Sequence, residues 1–238
     1  MLFFILIGQQ YQQDSFFQGN NVVRSISNQD SDFVESLNSC NFRKIYGLIS
    51  QSNMKKDFGS KSWLYPMPVL IVAAYDEQGV PNVMNAAWGG MFTDETIGIC
   101  LSAGHKTTKN ILATRAFTVS MATVDQVAAC DYAGIVSGNK VPDKFARAGF
   151  HATPSAHVNA PMIDELPMTL ECELLSYDPE SCHLTGRIVN ISADESILTD
   201  GQIDLRKLRP ISFDPIHLEY IELGATVDKA FSCGKKLK

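Results

Sequence analysis

Residues 68–111 read PVLIVAAYDEQGVPNVMNAAWGGMFTDETIGICLSAGHKTTKNI. The stretch opens with VLIVAAY (69–75), a run of branched and small apolar residues with β character that ends at the turn signal DEQGVPN. NVMNAAW (82–88) follows at hairpin distance, and TIGICLS (96–102) supplies a third strand. The pattern then changes. After Ser102, Gly104 bends the chain, and His105, Lys106, Thr107, Thr108, Lys109 and Asn110 pass without one apolar residue before Ile111 and Leu112. TKNILATR carries helical spacing, so a strand hands over to a helix through a dense cluster of cationic and hydroxyl groups.

Toward the C-terminus, AFTVSMA (116–122) reads as a fourth strand. VDQVAACDYAG (124–134) reads as a short helix closed by Gly134, and DKFARAG (143–149) as another ended by Gly149. Turn residues crowd the segment from Thr153 to Pro167. MTLECELLSY (168–177) and CHLTGRIVNI (182–191) are long strands, and HLEYIEL (217–223) closes the set. In the first of these, Leu170, Cys172 and Leu174 share one face while Glu171 and Glu173 take the other. Many strands separated by short helices, with neither βαβ alternation nor an internal repeat, predict a mostly β, closed or nearly closed antiparallel barrel with helical insertions.

Toward the N-terminus the composition breaks at Met54. Residues 1–53 hold 7 Gln, 6 Asn and 8 Ser, with no Pro, Ala or Thr, whereas all 10 prolines lie from Pro66 onward. The polar tract QQYQQDSFFQGNN buries too little apolar surface to offset its ordering entropy. The opening MLFFILIG has neither a preceding basic residue nor a following small-residue cleavage site, so it fits a secretory signal badly. Residues 1–53 are therefore expected to be a disordered leader or a mis-called start, and residues 54–238 the functional domain. The alternative is an extra helix around DFVESLNSCNFRKIYGLI.

The whole chain of 238 residues is 45% apolar, with a net charge of −6 and a pI near 5.3. That is enough for one good core and allows one or two domains. It carries no long basic stripe to meet nucleic acid and no run of about 18 apolar residues to cross a membrane. The 6 cysteines include no C-x-x-C pair and read as reduced thiols of a cytoplasmic protein. The 5 histidines show no ligand spacing, so no metal is expected.

No G-x-x-x-x-G-K-[ST], G-x-G-x-x-G or G-x-S-x-G is present, which removes Walker, dinucleotide-fold and serine-hydrolase readings. Three stretches remain. SAGHKTTKN (102–110) reads as an anion seat, because free N–H groups at a helix start, the helix dipole, Thr107, Thr108 and Lys106 together suit a phosphate monoester. It reads equally as plain helix capping by Ser102 or Thr107 with solvated lysines. In NVMNAAWGG (82–90), the small residues Asn85, Ala86 and Ala87 let a flat ring approach backbone donors, with Trp88 flanking it; the alternative is a buried barrel edge. DYAGIVSGNKVPDKFARAG (131–149) holds Gly134, Ser137, Gly138 and Asn139 in a connection that covers a site or merely links two helices.

Taken in order and spacing, PVLIV…TTKNI, DYAGIVSGNKVPDKFARAGF and TGRIVNI resemble the flavin reductase-like family of FMN-binding split barrels, which includes flavoredoxins. The resemblance covers about Phe58 to Lys236. It implies a six-stranded antiparallel split β-barrel, a homodimer, and FMN near the subunit interface. It implies that Asn85, Ala86, Ala87 and Trp88 line the flavin ring. Ser102, His105, Lys106, Thr107, Thr108 and Asn110 would hold the phosphate, and Ser137, Gly138 and Lys144 would close over the flavin or the nicotinamide side. His183 falls where some relatives carry a histidine near the nicotinamide. The implied activity is hydride transfer from NADH or NADPH to flavin N5, without a protein base. The alternative is an FMN electron carrier serving an acceptor protein.

Overall fold

A computed structural model describes residues 55–237; the expectations for residues 1–53 lie outside the described residues. The chain divides into two compact units, Met1–Lys61 and Ser62–Lys238. Of the first, residues 55–61 are described and carry no helix or strand. In the second, β1 (Met67–Pro68), β2 (Leu70–Tyr75), β3 (Pro81–Ala86), β4 (Gly89–Thr93) and β5 (Thr96–Cys100) come first. Helix α1 (Lys106–Thr114) leads into β6 (Ala116–Met121), followed by α2 (Val127–Ile135) and α3 (Lys144–Arg147). Then come β7 (Ala152–Pro154), β8 (Pro161–Ile163) and the two long strands β9 (Met168–Asp178) and β10 (His183–Ala193). The chain finishes with β11 (Leu198–Thr199), β12 (Gln202–Ile203), α4 (Leu205–Leu208), β13 (Ile211–Asp214) and β14 (Glu219–Glu222).

The main sheet is antiparallel and curled, in the order β3-β2-β6-β9-β10-β5-β4. Strand β2 explains the uninterrupted apolar run. Leu70, Val72 and Ala74 enter a core with Ile97, Ile99, Phe117, Val119, Leu170 and Leu184 on the concave side. Ile71 and Ala73 point the other way, into a second core with Cys130, Ala133, Phe145 and Phe150 from the helical connections. Both faces are buried, so alternation with polar residues is lost. The family picture of six strands becomes seven here, because Gly89–Thr93 forms the edge strand β4. Its Gly-Gly start has low β propensity, and its ladder with β5 carries a register shift, so the sequence hid it. No helix among the described residues is long and apolar enough to cross a membrane.

A three-stranded sheet, β1-β13-β14, ties the two ends of the second unit together. Its polar knot is Asp214, which is buried. One oxygen accepts from the Tyr65 hydroxyl and from the amide of Ile216 at 2.8 Å, while the other meets His217 Nδ1 at 2.7 Å. The hydrogen bond to Asp214, and then its charge, push the His217 pKa above 6.5. An imidazolium held this way stabilises the fold fully below pH 6.5, and that stabilisation disappears as pH climbs through the raised value. His151, raised by Glu165, behaves alike. The Tm of the wild type should therefore decline above pH 6.5 more steeply than that of His217→Gln. Parallel Tm–pH profiles for the two proteins would show that the Asp214 contact carries no linkage.

Candidate functional site

The site grows from edge strand β3, whose two faces each present an amide to a helix. Asn82 and Met84 face α1: Asn82 Nδ2 donates to Thr107 Oγ1 at 2.9 Å, and Met84 Sδ lies 3.5 Å from His105 Nδ1. Val83 and Asn85 face α2, where Asn85 Nδ2 donates to the carbonyl of Cys130 at 3.3 Å. Gly134 makes that approach possible, since a Cβ there would lie 2.2 Å from Asn85 Nδ2. Gly134 was expected to close the helix. Instead α2 continues to Ile135, and the missing side chain serves packing against β3.

Helix α1 begins at Lys106, with His105 as its N-cap and no side-chain cap bond. Neither Ser102 nor Thr107 is therefore the N-cap. Ser102 and Gly104 are exposed, and the Ser102 carbonyl accepts the amide of His105 at 3.2 Å. Lys106 is partly exposed and pairs with Asp76 at 3.3 Å. Thr107, Thr108 and Asn110 are buried. Asn110 Nδ2 donates to the Ala74 carbonyl at 3.4 Å, anchoring the helix to β2. Among the described residues, Thr108 Oγ1 is a buried oxygen with no hydrogen-bond partner.

The connection after α2 folds back over this start. Asn139 Nδ2 donates to the Gly104 carbonyl at 2.9 Å, and a Cβ on Gly138 would lie 2.4 Å from Asn82 Oδ1. Ser137, half-buried, accepts the amides of Lys140 and Val141 through its carbonyl. Lys144 is buried, and its ammonium donates to the carbonyls of Ala133 at 2.9 Å and Val136 at 2.8 Å, at the C-terminal end of α2. No carboxylate pairs with it among the described residues, and burial lowers its pKa to about 8. Burial, and then the Lys144 charge, push His105 down as well. The Lys144 charge therefore acts on His105, the N-cap of α1.

Ala86 and Ala87 are half-buried at and beyond the end of β3, and Trp88 is exposed. Trp88 lines a cavity of about 280 Å³ with Phe92, Cys100 and His183, where the rings of Phe92 and His183 lie 4.9 Å apart. The predicted residues therefore form two groups. One gathers on β3, α1, α2 and the 136–144 connection; the other holds Trp88 and His183 on the β4–β5–β10 side.

The model of the flavin reductase like domain matches residues 62–209. The chain belongs to this family. Among solved structures, this flavin reductase-like protein is similar to the flavoredoxin of Desulfovibrio vulgaris (Miyazaki F), with 38% identity and a TM-score of 0.73 over 76% of this chain and 100% of that one. It is also similar to the flavoredoxin from Methanosarcina acetivorans, with 26% identity and a TM-score of 0.71 over 78% and 100% of the two chains. An FMN-binding domain of a flavin reductases-like enzyme from Shewanella baltica OS155 shares the fold, with 20% identity and a TM-score of 0.61 over 68% and 88%.

Sequence reasoning missed Asn82 and Asp76 in this flavin reductase-like protein, and it named Asn139 only as part of the covering connection, without its partner. For Asn82 a signal existed: a strand carrying two asparagines, Asn82 and Asn85, on opposite faces must satisfy both amides elsewhere. Asp76 and Asn139 sit in loops, and nothing local marks their long-range partners.

Proposed function

We propose that this flavin reductase-like protein binds FMN and works as an oxidoreductase that takes hydride from NADH or NADPH. The observation that carries the reading is the start of α1, without a side-chain cap bond, onto which the connection leading to the buried Lys144 folds through Asn139. An anion supplies the missing cap. In this reading Ser102, His105, Lys106 and the first amides of α1 face the phosphate. Thr107, Thr108 and Asn110 hold the helix that presents them. Asn85, Ala86, Ala87 and Trp88 border the ring, and Ser137, Gly138 and Lys144 close over it. Bound FMN supplies the ring that accepts hydride at N5. The tasks left to the chain are orientation and exclusion of water.

The exposed Val189 and Ile191 on β10 suit a homodimer face. A cytoplasmic setting belongs to the same reading. The 38% identity to a flavoredoxin favours a second reading, in which the protein carries electrons to an acceptor protein without turning over nicotinamide itself. Oxidation of NADH or NADPH, followed at the nicotinamide band with FMN present, separates the two.

Binding itself is tested by titrating FMN and riboflavin, which share the ring and differ in the phosphate. A hydrogen bond to a charged group contributes roughly 1.5–3 kcal/mol. Lys106→Ala should then weaken FMN by about ten- to a hundredfold and leave riboflavin nearly unchanged. Ala86→Leu should weaken both ligands together, because it obstructs the ring. Equal effects of Lys106→Ala on the two flavins would remove the phosphate from α1.

A further inference from the structure

Two thiols meet where β10 begins. The β5–β10 ladder sets Cys100 opposite His183, and the amide of Leu101 donates to the Cys182 carbonyl at 2.8 Å. Cys100 and Cys182 are therefore diagonal neighbours across an antiparallel pair. Ladder spacings place their Cα atoms roughly 6 Å apart, inside the range of about 4.4–6.8 Å that a disulfide spans. In regular strands a diagonal pair would project from opposite faces. Cys182 breaks that alternation with a backbone φ of 59°. The Cys100 thiol accordingly reaches toward the carbonyl of Ser181, at 3.9 Å, and the Cys182 thiol toward that of Pro179, also at 3.9 Å. Tyr177 sits beside both thiols, with its hydroxyl donating to the Leu101 carbonyl at 2.9 Å.

Access differs between the cysteines. Cys100 is exposed at the cavity shared with Trp88 and His183, and Cys182 is half-buried behind it. Cys130 and Cys172 are buried in the two cores. Cys233 is exposed in the C-terminal segment and supplies an internal single-thiol control.

We propose that Cys100 and Cys182 form a reversible dithiol–disulfide pair that exchanges with small disulfides of the glutathione class. The Cys100 thiolate attacks one sulfur of the small disulfide, forms a mixed disulfide and expels one thiolate. The Cys182 thiolate then attacks Cys100 Sγ, closes the Cys100–Cys182 bond and expels the second. The two protein thiols give up two protons and two electrons, and the small disulfide becomes two thiols. Burial, and then the nearby Cys182 thiol, push the Cys100 pKa up, so exchange should accelerate as pH rises from 7 to 9.

The test treats the full-length protein with oxidised glutathione under native conditions and maps its peptides by mass spectrometry. The expected product joins the Cys100 and Cys182 peptides with loss of two hydrogens, and a thiol reductant reverses it. Cys182→Ser should stop the reaction at a glutathione adduct on Cys100, while Cys233 takes a simple adduct in every variant. Stable adducts on Cys100 in the wild type, without the cross-link, would overturn the proposal. So would Cys233 reacting while both Cys100 and Cys182 stay unmodified.

Discussion

Glu171→Ala should lower the unfolding free energy by about 3–5 kcal/mol, the largest stability loss expected from a single polar side chain in this protein. Glu171 is fully buried at the outer face of β9. One of its oxygens accepts from Asn190 Nδ2 at 2.7 Å and Ser192 Oγ at 2.6 Å, and the other accepts from the Ser155 hydroxyl. Ser155 Oγ in turn accepts the amides of His157 and Val158, both at 3.0 Å. The carboxylate thus joins β9, β10 and the loop between β7 and β8. Alanine takes the acceptor from the half-buried Ser155 and Ser192 hydroxyls, at about 1–3 kcal/mol for each group, and leaves Asn190 Nδ2 with Ser192 Oγ alone, at 3.1 Å. Glu171→Gln keeps one acceptor oxygen and should cost less. Burial pushes the Glu171 pKa up, but hydrogen bonds from Ser155, Ser192 and Asn190 more than offset it and hold the group below 4.5. Its stabilisation is therefore present above pH 4.5 and lost as pH falls through the depressed value. Acid denaturation of the wild type should be steeper there than that of Glu171→Gln. A loss under about 1 kcal/mol for Glu171→Ala in chemical denaturation would mean that water replaces the carboxylate.

Gly134→Val should weaken FMN and riboflavin alike, by about a hundredfold, with little change in Tm. The new Cβ would lie 2.2, 2.4 and 2.5 Å from the Nδ2, Oδ1 and Cγ atoms of Asn85, so the Asn85 amide must swing away from α2. In the proposed seat the Asn85 amide would serve the ring with two hydrogen bonds, and losing both at about 1.5 kcal/mol each corresponds to roughly a hundredfold in affinity. Valine forms helix better than glycine, which offsets part of the repacking cost in α2. The pattern differs from that of Lys106→Ala, which should separate the two flavins. Unchanged binding of both flavins to Gly134→Val would place Asn85 outside the ring site.

Much of the architecture was legible because single residues dictate it. The doubly buried β2, the turn at Asp76–Val80 and the change to helix after Gly104 all announce themselves within a few positions. The hidden parts depend on contacts distant in sequence. Gly134 looks like a helix end until Asn85 is seen pressed against it. Glu171 alternates as a solvent-facing residue would, yet the loop carrying Ser155 covers it. Lys144 resembles any surface lysine in DKFARAG, and only the end of α2 reveals why it is buried. Trp88 and His183 lie 95 positions apart in the chain, and the β5–β10 ladder brings them to one cavity.

Strand β2 is a party wall: Leu70, Val72 and Ala74 face one room, and Ile71 and Ala73 the other. A single hydrogen-bonded backbone carries both linings, so slackening on either side is transmitted through rigid peptide planes to the other. The helices that frame the proposed flavin seat therefore cannot loosen independently of the barrel interior. The second unit is accordingly expected to melt as one cooperative body.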